Sequence, residues 1–323
     1  MIGLSIIIPM YNEQDRIEPT VRDAVATLER WDRAKSGKAK RENEGAGAGA
    51  EGPWMLRERL GGGGEAPTAP TAEVLLVNDG SKDNTQAVAE RLLQQLLANA
   101  GPALAGRVLR HEVNRGKGAA VRTGLAAASG AWALLMDADN ATRLDQLGRF
   151  ERAWAADARR EPDQQPVAMF AASRNTPDAD IEAKWTRKFS GNIFKGALWA
   201  LGLRLAKDTQ CGFKLYRRDL AQYLAAHAKE DGFAFDIEHF LLCRHGGWDF
   251  REVGVHWEHK AGGKINVIAD GLKMVARAKV IRDRIRRNPP PPPAAPAPHP
   301  SSGARAAPVV GEVKPAAREV VDQ

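Results

Sequence analysis

Cysteine is nearly absent from this chain. Cys211 and Cys243 are the only two in 323 residues. They allow at most one bridge and form no CxxC pair, which excludes a disulfide framework and a cysteine-based metal knuckle and fits a reduced, cytosolic setting. Long apolar runs are missing too. No stretch approaches the roughly 18 apolar residues of a membrane-spanning helix. The opening MIGLSIIIPMYNE has no basic segment before its short apolar run, so it does not read as a signal peptide. No GxxxxGK[ST] loop occurs, which removes the main support for an ATPase. The expectation is a soluble or peripheral protein.

Two stretches lack any periodic aliphatic pattern. Residues 35–72 contain GAGAGAEG and GGGG among alternating charges, and residues 288–323 begin NPPPPPAAPAPHP. Neither can bury enough apolar surface to offset the entropy of ordering. They read as a flexible glycine-rich insertion and a disordered proline-rich tail. What remains suits one α/β domain within 1–287.

Charge is present in excess. The formal net charge is +7, and the segment 273–287, KMVARAKVIRDRIRR, holds seven basic residues against one acidic. Such a block suits an anionic membrane surface; a solvated charged face is the alternative. No nucleic-acid reader module accompanies it, so nucleic acid is not an expected partner.

Along the chain, LSIIIPMY and AEVLLVND read as buried strands, GRVLRH as a candidate third strand, and AWALLMDAD and VAMFAASR as a fourth and a fifth. Ile17, Val21, Val25 and Leu28 have helical spacing. Ser81 or Asp83 can cap a helix with the body DNTQAVAERLLQQLL. GKGAAVRTGLAAAS reads as a helix with a glycine-rich entry. Apolar strands alternating with helices indicate a mostly parallel sheet with helices on both faces. Ligands in such sheets bind at the carboxyl ends of the strands. The polar clusters YNE, NDGS, DAD and SRN all fall there.

Each cluster has a bland and a functional reading. Asp137 and Asp139 are two apart at a strand end, so both carboxylates can face one cavity. They repel unless a cation sits between them, and Mg²⁺ or Mn²⁺ on a substrate diphosphate is the natural solution; the alternative is a solvated acidic turn. Asp79 sits in a turn-forming Asn-Asp-Gly-Ser and can also bond a base or ribose. Arg115 and Lys117 among the glycines of NRGKG suit a base edge or phosphates; otherwise they form a basic helix entry.

PMYNE, VNDGS, NRGKGAAVRTG and DAD, in that order, resemble a GT-A (Rossmann-like) nucleotide-sugar glycosyltransferase of family 2 over roughly residues 4–285. DTQCGFKLY followed by FAFDIE sharpens this to a likeness with the dolichyl-phosphate β-glucosyltransferases. The resemblance implies metal-dependent transfer of a hexose, glucose foremost, from a UDP-sugar to a polyprenyl phosphate with inversion, by an enzyme peripheral on the cytoplasmic face of a membrane. It implies that Pro9, Tyr11 and Glu13 line the nucleotide pocket with Asp79, Arg115 and Lys117. Asp137 and Asp139 handle the metal and diphosphate. Arg174, Arg187 and Ser190 bind the acceptor phosphate, and Gln210 and Lys214 lie near donor and sugar. Asp236 and Glu238 match an acidic pair facing the reaction centre; an N-capping pair is the alternative. Asp208 and Lys214 are expected to anchor a loop closing on the sugar. NIFKGALWALGLRLA is either an interfacial helix for a prenyl chain, with Trp199 near the headgroups, or a core helix. Three departures stand out: DADNAT in place of the commoner DADGAT, the insertion, and a start directly at the first strand where eukaryotic relatives carry a membrane helix. A phosphate acceptor is already anionic and needs no strong base; a sugar hydroxyl would call on Asp236. Polyprenyl-phosphate mannosyl transfer from GDP-mannose, a family 2 transferase acting on a sugar hydroxyl, and a catalytically inactive nucleotide-sugar-binding protein are the alternatives.

Overall fold

The computed structural model describes residues 2–35, 71–100, 104–157, 167–182, 196, 198–199, 202–260 and 267–293. The apolar strands build the middle of one sheet. β1 (Leu4–Met10) and β2 (Ala72–Asn78) are buried at every position. Their side chains alternate between two cores, as a strand with both faces covered requires. Leu4, Ile6 and Ile8 join one core with Val74 and Leu76; Ile7 joins the other with Leu75 and Val77.

The first core is covered by α1 (Ile17–Lys35), α2 (Thr85–Asn99) and α4 (Leu147–Asp157). Ile17, Val21, Val25 and Leu28 all pack into it. The second is covered by α3 (Lys117–Ala127), α5 (Arg218–His227), α6 (Phe235–His245) and α7 (Val267–Arg287).

The seven-stranded sheet has the order β3-β2-β1-β4-β7-β5-β8, with β3 Leu104–Arg110, β4 Trp132–Met136, β5 Val167–Ser173, β7 Phe213–Arg217 and β8 Asp249–Gly254. Neighbours run parallel except β7, which is antiparallel to both β4 and β5. β6 (Asp180–Glu182) and β9 (His256–Glu258) form a separate parallel pair. The chain leaves β1 toward β2 and β3, then returns to β1's other side as β4. This reversal is a switch point, where the loops part and a crevice opens. β4 pairs with β1 only as far as Ile7, so Pro9 lies beyond that ladder, where its missing N–H breaks no bond to β4.

Two local readings need correction. The stretch Asp208–Tyr216 is not all loop, because FKLYR is β7, an interior strand buried throughout. Its lysine is tolerated there because its ammonium has a carboxylate partner. The second helix starts at Thr85, and Asn84 makes no side-chain cap. Asp83 instead accepts the Thr85 N–H at 3.0 Å, while Ser81 turns back to Asn78 at 2.6 Å. The expected insertion, about 35–72, lies outside the described residues except at its two ends. The expected tail is described only as far as residue 293. Among the described residues no helix is long and apolar enough to cross a membrane.

Candidate active site

The loops after β1 and β2 are stapled to each other. The Asn12 N–H donates to Ser81 Oγ at 3.0 Å, the Lys82 N–H to Asn12 Oδ1 at 2.9 Å, and the Glu13 N–H to Thr85 Oγ1 at 2.8 Å. Tyr11 stays exposed at the crevice, and Glu13 pairs with Arg16 at 2.7 Å.

Asp79, at the end of β2, is buried. Its carboxylate accepts from the N–H groups of Arg115 (3.0 Å) and Gly116 (2.7 Å) and from Asn114 Nδ2 (2.9 Å), and meets His111 Nδ1 at 2.7 Å. The three from Asn114, Arg115 and Gly116 bind the NRGKG loop to the sheet, and together the four occupy the lone pairs of a carboxylate. Asp79 therefore holds the loop that carries Arg115 and Lys117; a base could reach it only by replacing one of these bonds. His111 was not singled out from the sequence. It directly follows β3, so the rule that polar groups at strand ends form the site applies to it as well. Gly116 has φ +108°, and a side chain there would strike the Asp231 carbonyl, which accepts the Gly118 N–H at 2.7 Å.

Asp137 and Asp139 follow β4 directly. Thr20 of α1 donates to the Ala138 carbonyl at 2.6 Å and so fixes the turn between them. Asn140 adopts φ +55°, the left-handed region that glycine and asparagine tolerate, which explains why asparagine stands there. Lys117 Nζ donates to Asp137 Oδ1 at 2.6 Å. Asp139 accepts the Ala141 N–H at 3.0 Å. Burial and the neighbouring Asp137 raise its pKa. Burial works against the charge on Lys117, but Asp137, Asp236 and Asp139 outweigh it and push its pKa up. Among the described residues no group of three or more His, Cys, Asp or Glu could hold a metal by itself. Two adjacent carboxylates suffice only for a cation that also takes oxygens from a bound diphosphate.

Gly212 answers why DTQCGFKLY contains a glycine: a Cβ there would run into the Asp137 carboxylate. Lys214 is fully buried and donates to the Cys211 carbonyl at 2.6 Å and to Asp236 Oδ1 at 2.5 Å. It is part of the floor, not of a closing loop, and its ammonium is occupied. Asp236 lies in the first turn of α6. Burial raises its pKa against the pull of Lys214 and Lys117. Neither acid of FAFDIE caps its own helix, for the N-cap is Ala234 and makes no side-chain cap bond. Glu238 turns away from Asp236: it accepts the N–H groups of Lys229 (2.9 Å) and Glu230 (2.7 Å) and pairs with Arg284.

Arg174, after β5, is gripped by Asp208 through Nε (2.7 Å), Nη2 (3.0 Å) and its backbone N–H (3.0 Å). Its guanidinium lies 5.5 Å from the Trp257 ring. Asp208 thus anchors Arg174. A cavity of about 100 Å³ lies beside this pair, lined by Arg174, Asn175, Trp199, Leu203, Thr209 and Gln210. Leu198 and Leu203 belong to the core, whereas Trp199 is exposed. Cys211 is buried and its thiol is pushed up to about 11 by burial and by Asp208. Arg187 and Ser190, and Ile193, Phe194 and Leu201 of the apolar stretch, lie outside the described residues. The structure therefore brings Lys117, Asp137, Asp139, Lys214 and Asp236 together, with Arg174 and Gln210 alongside.

Comparison with known proteins follows the same lines. The family profile described as glycosyl transferase family 2 matches residues 56–224. The dolichyl-phosphate beta-glucosyltransferase of Drosophila melanogaster is 31% identical over 277 residues, covering 84% of this chain and 72% of the fly protein. The protein of that name from Dictyostelium discoideum is 28% identical over 290 residues, 88% of this chain and 75% of its own. Among solved structures, glucosyl-3-phosphoglycerate synthase from Mycobacterium tuberculosis, in complex with Mn²⁺, UDP-glucose and phosphoglyceric acid, matches with a TM-score of 0.50. It is 16% identical, and the match covers 86% of this chain and 79% of that one; this likeness speaks for the fold alone.

Proposed function

The chain belongs to glycosyl transferase family 2 and has a GT-A fold, and from that premise we propose that it transfers glucose from UDP-glucose to a polyprenyl phosphate of the dolichyl type, with inversion at the anomeric carbon. The observation that carries this reading is the state of Asp236. A hydroxyl acceptor would need a free carboxylate base, and this one is buried and paired with Lys214. An acceptor phosphate is already anionic and needs positive charge to meet it instead. Arg174 and Lys207, set against the single carboxylate of Asp208, leave a net positive charge on the wall of a cavity that ends in the exposed Trp199.

In this reading Tyr11, Pro9 and Glu13 border the nucleotide, with Asp79 setting the loop that presents Arg115 and Lys117 to the diphosphate. Asp137 and Asp139 would hold a divalent cation, Mg²⁺ or Mn²⁺. The raised pKa of Asp139 and the contact of Gly212 with Asp137 fit a site built for a bound cation. Such a cation, when bound, offsets the charge that gathers on the leaving diphosphate. Lys117 adds a second positive group on the same side, held in place before reaction and so requiring little rearrangement. Arg174, with Arg187 and Ser190, orients the acceptor phosphate so that its oxygen attacks the sugar carbon opposite the diphosphate. One C–O bond forms as the other breaks, and no protein proton moves. Gln210 borders the sugar. Lys214 acts from beneath by fixing Asp236 and the Cys211 carbonyl. The lipid acceptor places the protein on the anionic cytoplasmic face of a membrane.

The test is transfer of label from UDP-glucose to a short polyprenyl phosphate with Mg²⁺ or Mn²⁺, with GDP-mannose in parallel and the product's anomeric configuration read by NMR. Labelled β-linked lipid from UDP-glucose is expected. Label from GDP-mannose alone would overturn the donor, and binding of UDP-glucose without transfer would overturn the acceptor.

A further inference from the structure

The arginines of α7 divide by flank. Ala278 and Ile281 are buried against the core, and Ile285 packs beside them. At 3.6 residues per turn, Arg277 and Arg284 fall on one side of this stripe, and Arg282 and Arg286 on the other. The first pair is neutralised by buried carboxylates: Arg277 meets Glu230 and Arg284 meets Glu238. The second pair faces a cleft of about 330 Å³ whose opposite wall carries Arg204 and Arg244, with a floor of Leu203, Leu205, Leu241 and Ile285.

No carboxylate lines this cleft among the described residues. Arg282 pairs with its neighbour Asp283 at 2.9 Å, on the helix itself. Arg244 donates to the carbonyls of Arg204 (3.1 Å) and Leu205 (3.2 Å), which fixes the wall, and Arg204 lies 5.6 Å from the ring of Trp199. Four arginines against the one adjacent carboxylate of Asp283 leave a net positive charge around an apolar floor, which an anion would offset. Planar forked donors match phosphate oxygens, and an apolar floor suits the glycerol and first methylenes behind a headgroup. The cleft shares Leu203 with the cavity beside Arg174, so the two adjoin.

We propose that this cleft is a second phosphate site, which holds the headgroup of an anionic membrane phospholipid and so seats the enzyme beside its lipid acceptor. The inference rests on the proposed lipid-acceptor reading, since that substrate is what brings the chain to a membrane. Arg277 and Arg284 dock the helix; Arg204, Arg244, Arg282 and Arg286 read the surface.

The experiment is sedimentation of the full chain with phosphatidylcholine vesicles with and without phosphatidylserine. R204Q/R286Q removes two exposed cleft arginines and no carboxylate partner. K273Q/R287Q removes the same charge outside the cleft. Binding to phosphatidylserine vesicles should weaken about 30-fold in the first variant, from two cations lost near an anionic surface, and less than about fivefold in the second. Equal loss in both, or no loss in the first, overturns the site in favour of a diffuse basic face. Transfer in detergent to a short polyprenyl phosphate separates this from the proposed function. R204Q/R286Q should keep the wild-type rate and acceptor KM there. A raised acceptor KM would assign the cleft to the acceptor's own phosphate and overturn the proposal. A wild-type chain that binds vesicles but transfers nothing would instead overturn the proposed function and leave the cleft standing.

Discussion

The ends of β2 and β4 carry acids in similar positions, yet they are treated in opposite ways. Asp79 is buried and its carboxylate is taken up by two backbone N–H groups, Asn114 and His111. Asp137 and Asp139 are only half-buried and crowd each other, and they accept from Lys117 and from the Ala141 N–H. The first arrangement completes the fold. The second leaves oxygens unspent and raises the pKa of Asp139. A satisfied acid makes structure, whereas a frustrated pair at the same sheet edge awaits something positive.

Breaking the second site should cost activity without costing stability. Asp139→Asn is expected to lower transfer by about 10²–10³-fold, read as kcat in the labelled assay. Its stability should move the other way. A carboxyl whose pKa is raised on folding favours the folded state when protonated, and that advantage is lost as pH rises through the folded pKa. At neutral pH the ionised Asp139 therefore opposes folding, and the asparagine variant should melt at or above the wild-type temperature. The difference should vanish below the ordinary aspartate pKa of 3.8. Mn²⁺ with UDP should raise the wild-type melting temperature and leave that of the variant unchanged. A variant that transfers normally would remove the metal–diphosphate role.

Breaking the first site should do the reverse. Asp79→Ala leaves His111 Nδ1 and the N–H groups of Arg115 and Gly116 without this acceptor, and leaves Asn114 Nδ2 only the residue 79 carbonyl. Losses of about 3 kcal/mol in urea unfolding are expected from such a network. Transfer should fall mainly through a higher donor KM, because Arg115 and Lys117 remain present but loosely held. A variant as stable as wild type would mean that the loop is held by something other than this carboxylate.

The same contrast explains what was legible before the structure. Parallel strands buried on both faces are continuous apolar runs, so β1, β2, β4 and β5 and the polar ends that form the crevice stood out. Asn140 and the pair at 137 and 139 could be read locally. β7 could not: Lys214 is acceptable inside the sheet only because Asp236, 22 residues later, comes to meet it. The fates of Arg174 and Asp79 are long-range in the same way, settled by Asp208, 34 residues on, and by groups 32–37 residues on. Periodicity shows which face of a strand or helix is buried. It does not show which carboxylate a cation will find, nor that the two flanks of α7 differ.

Gly212→Ala sharpens the comparison at the level of one methyl group. The added Cβ would meet the Asp137 carboxylate, so Asp137 must shift while every charge is kept. A displacement of this kind is expected to reduce kcat roughly 10–100-fold, with donor KM little changed. Parallel losses in Gly212→Ala and Asp139→Asn would tie the floor of β7 to the acidic pair. An unaffected variant would show that the position of Asp137 is not critical.

The smallest effect belongs to Cys211, which sits in the same floor one residue before Gly212. Burial and Asp208 hold its thiol up to about 11, so near pH 8 only about one thiol in a thousand is ionised. Native protein should resist iodoacetamide there and react only when unfolded, as followed by mass spectrometry. Cys211→Ser should keep transfer within about threefold, because displacement by a phosphate oxygen forms no enzyme-bound intermediate. A covalent route through this thiol would instead lose several orders of magnitude. The comparison of the two strand ends would then need a third member, a nucleophile in the floor.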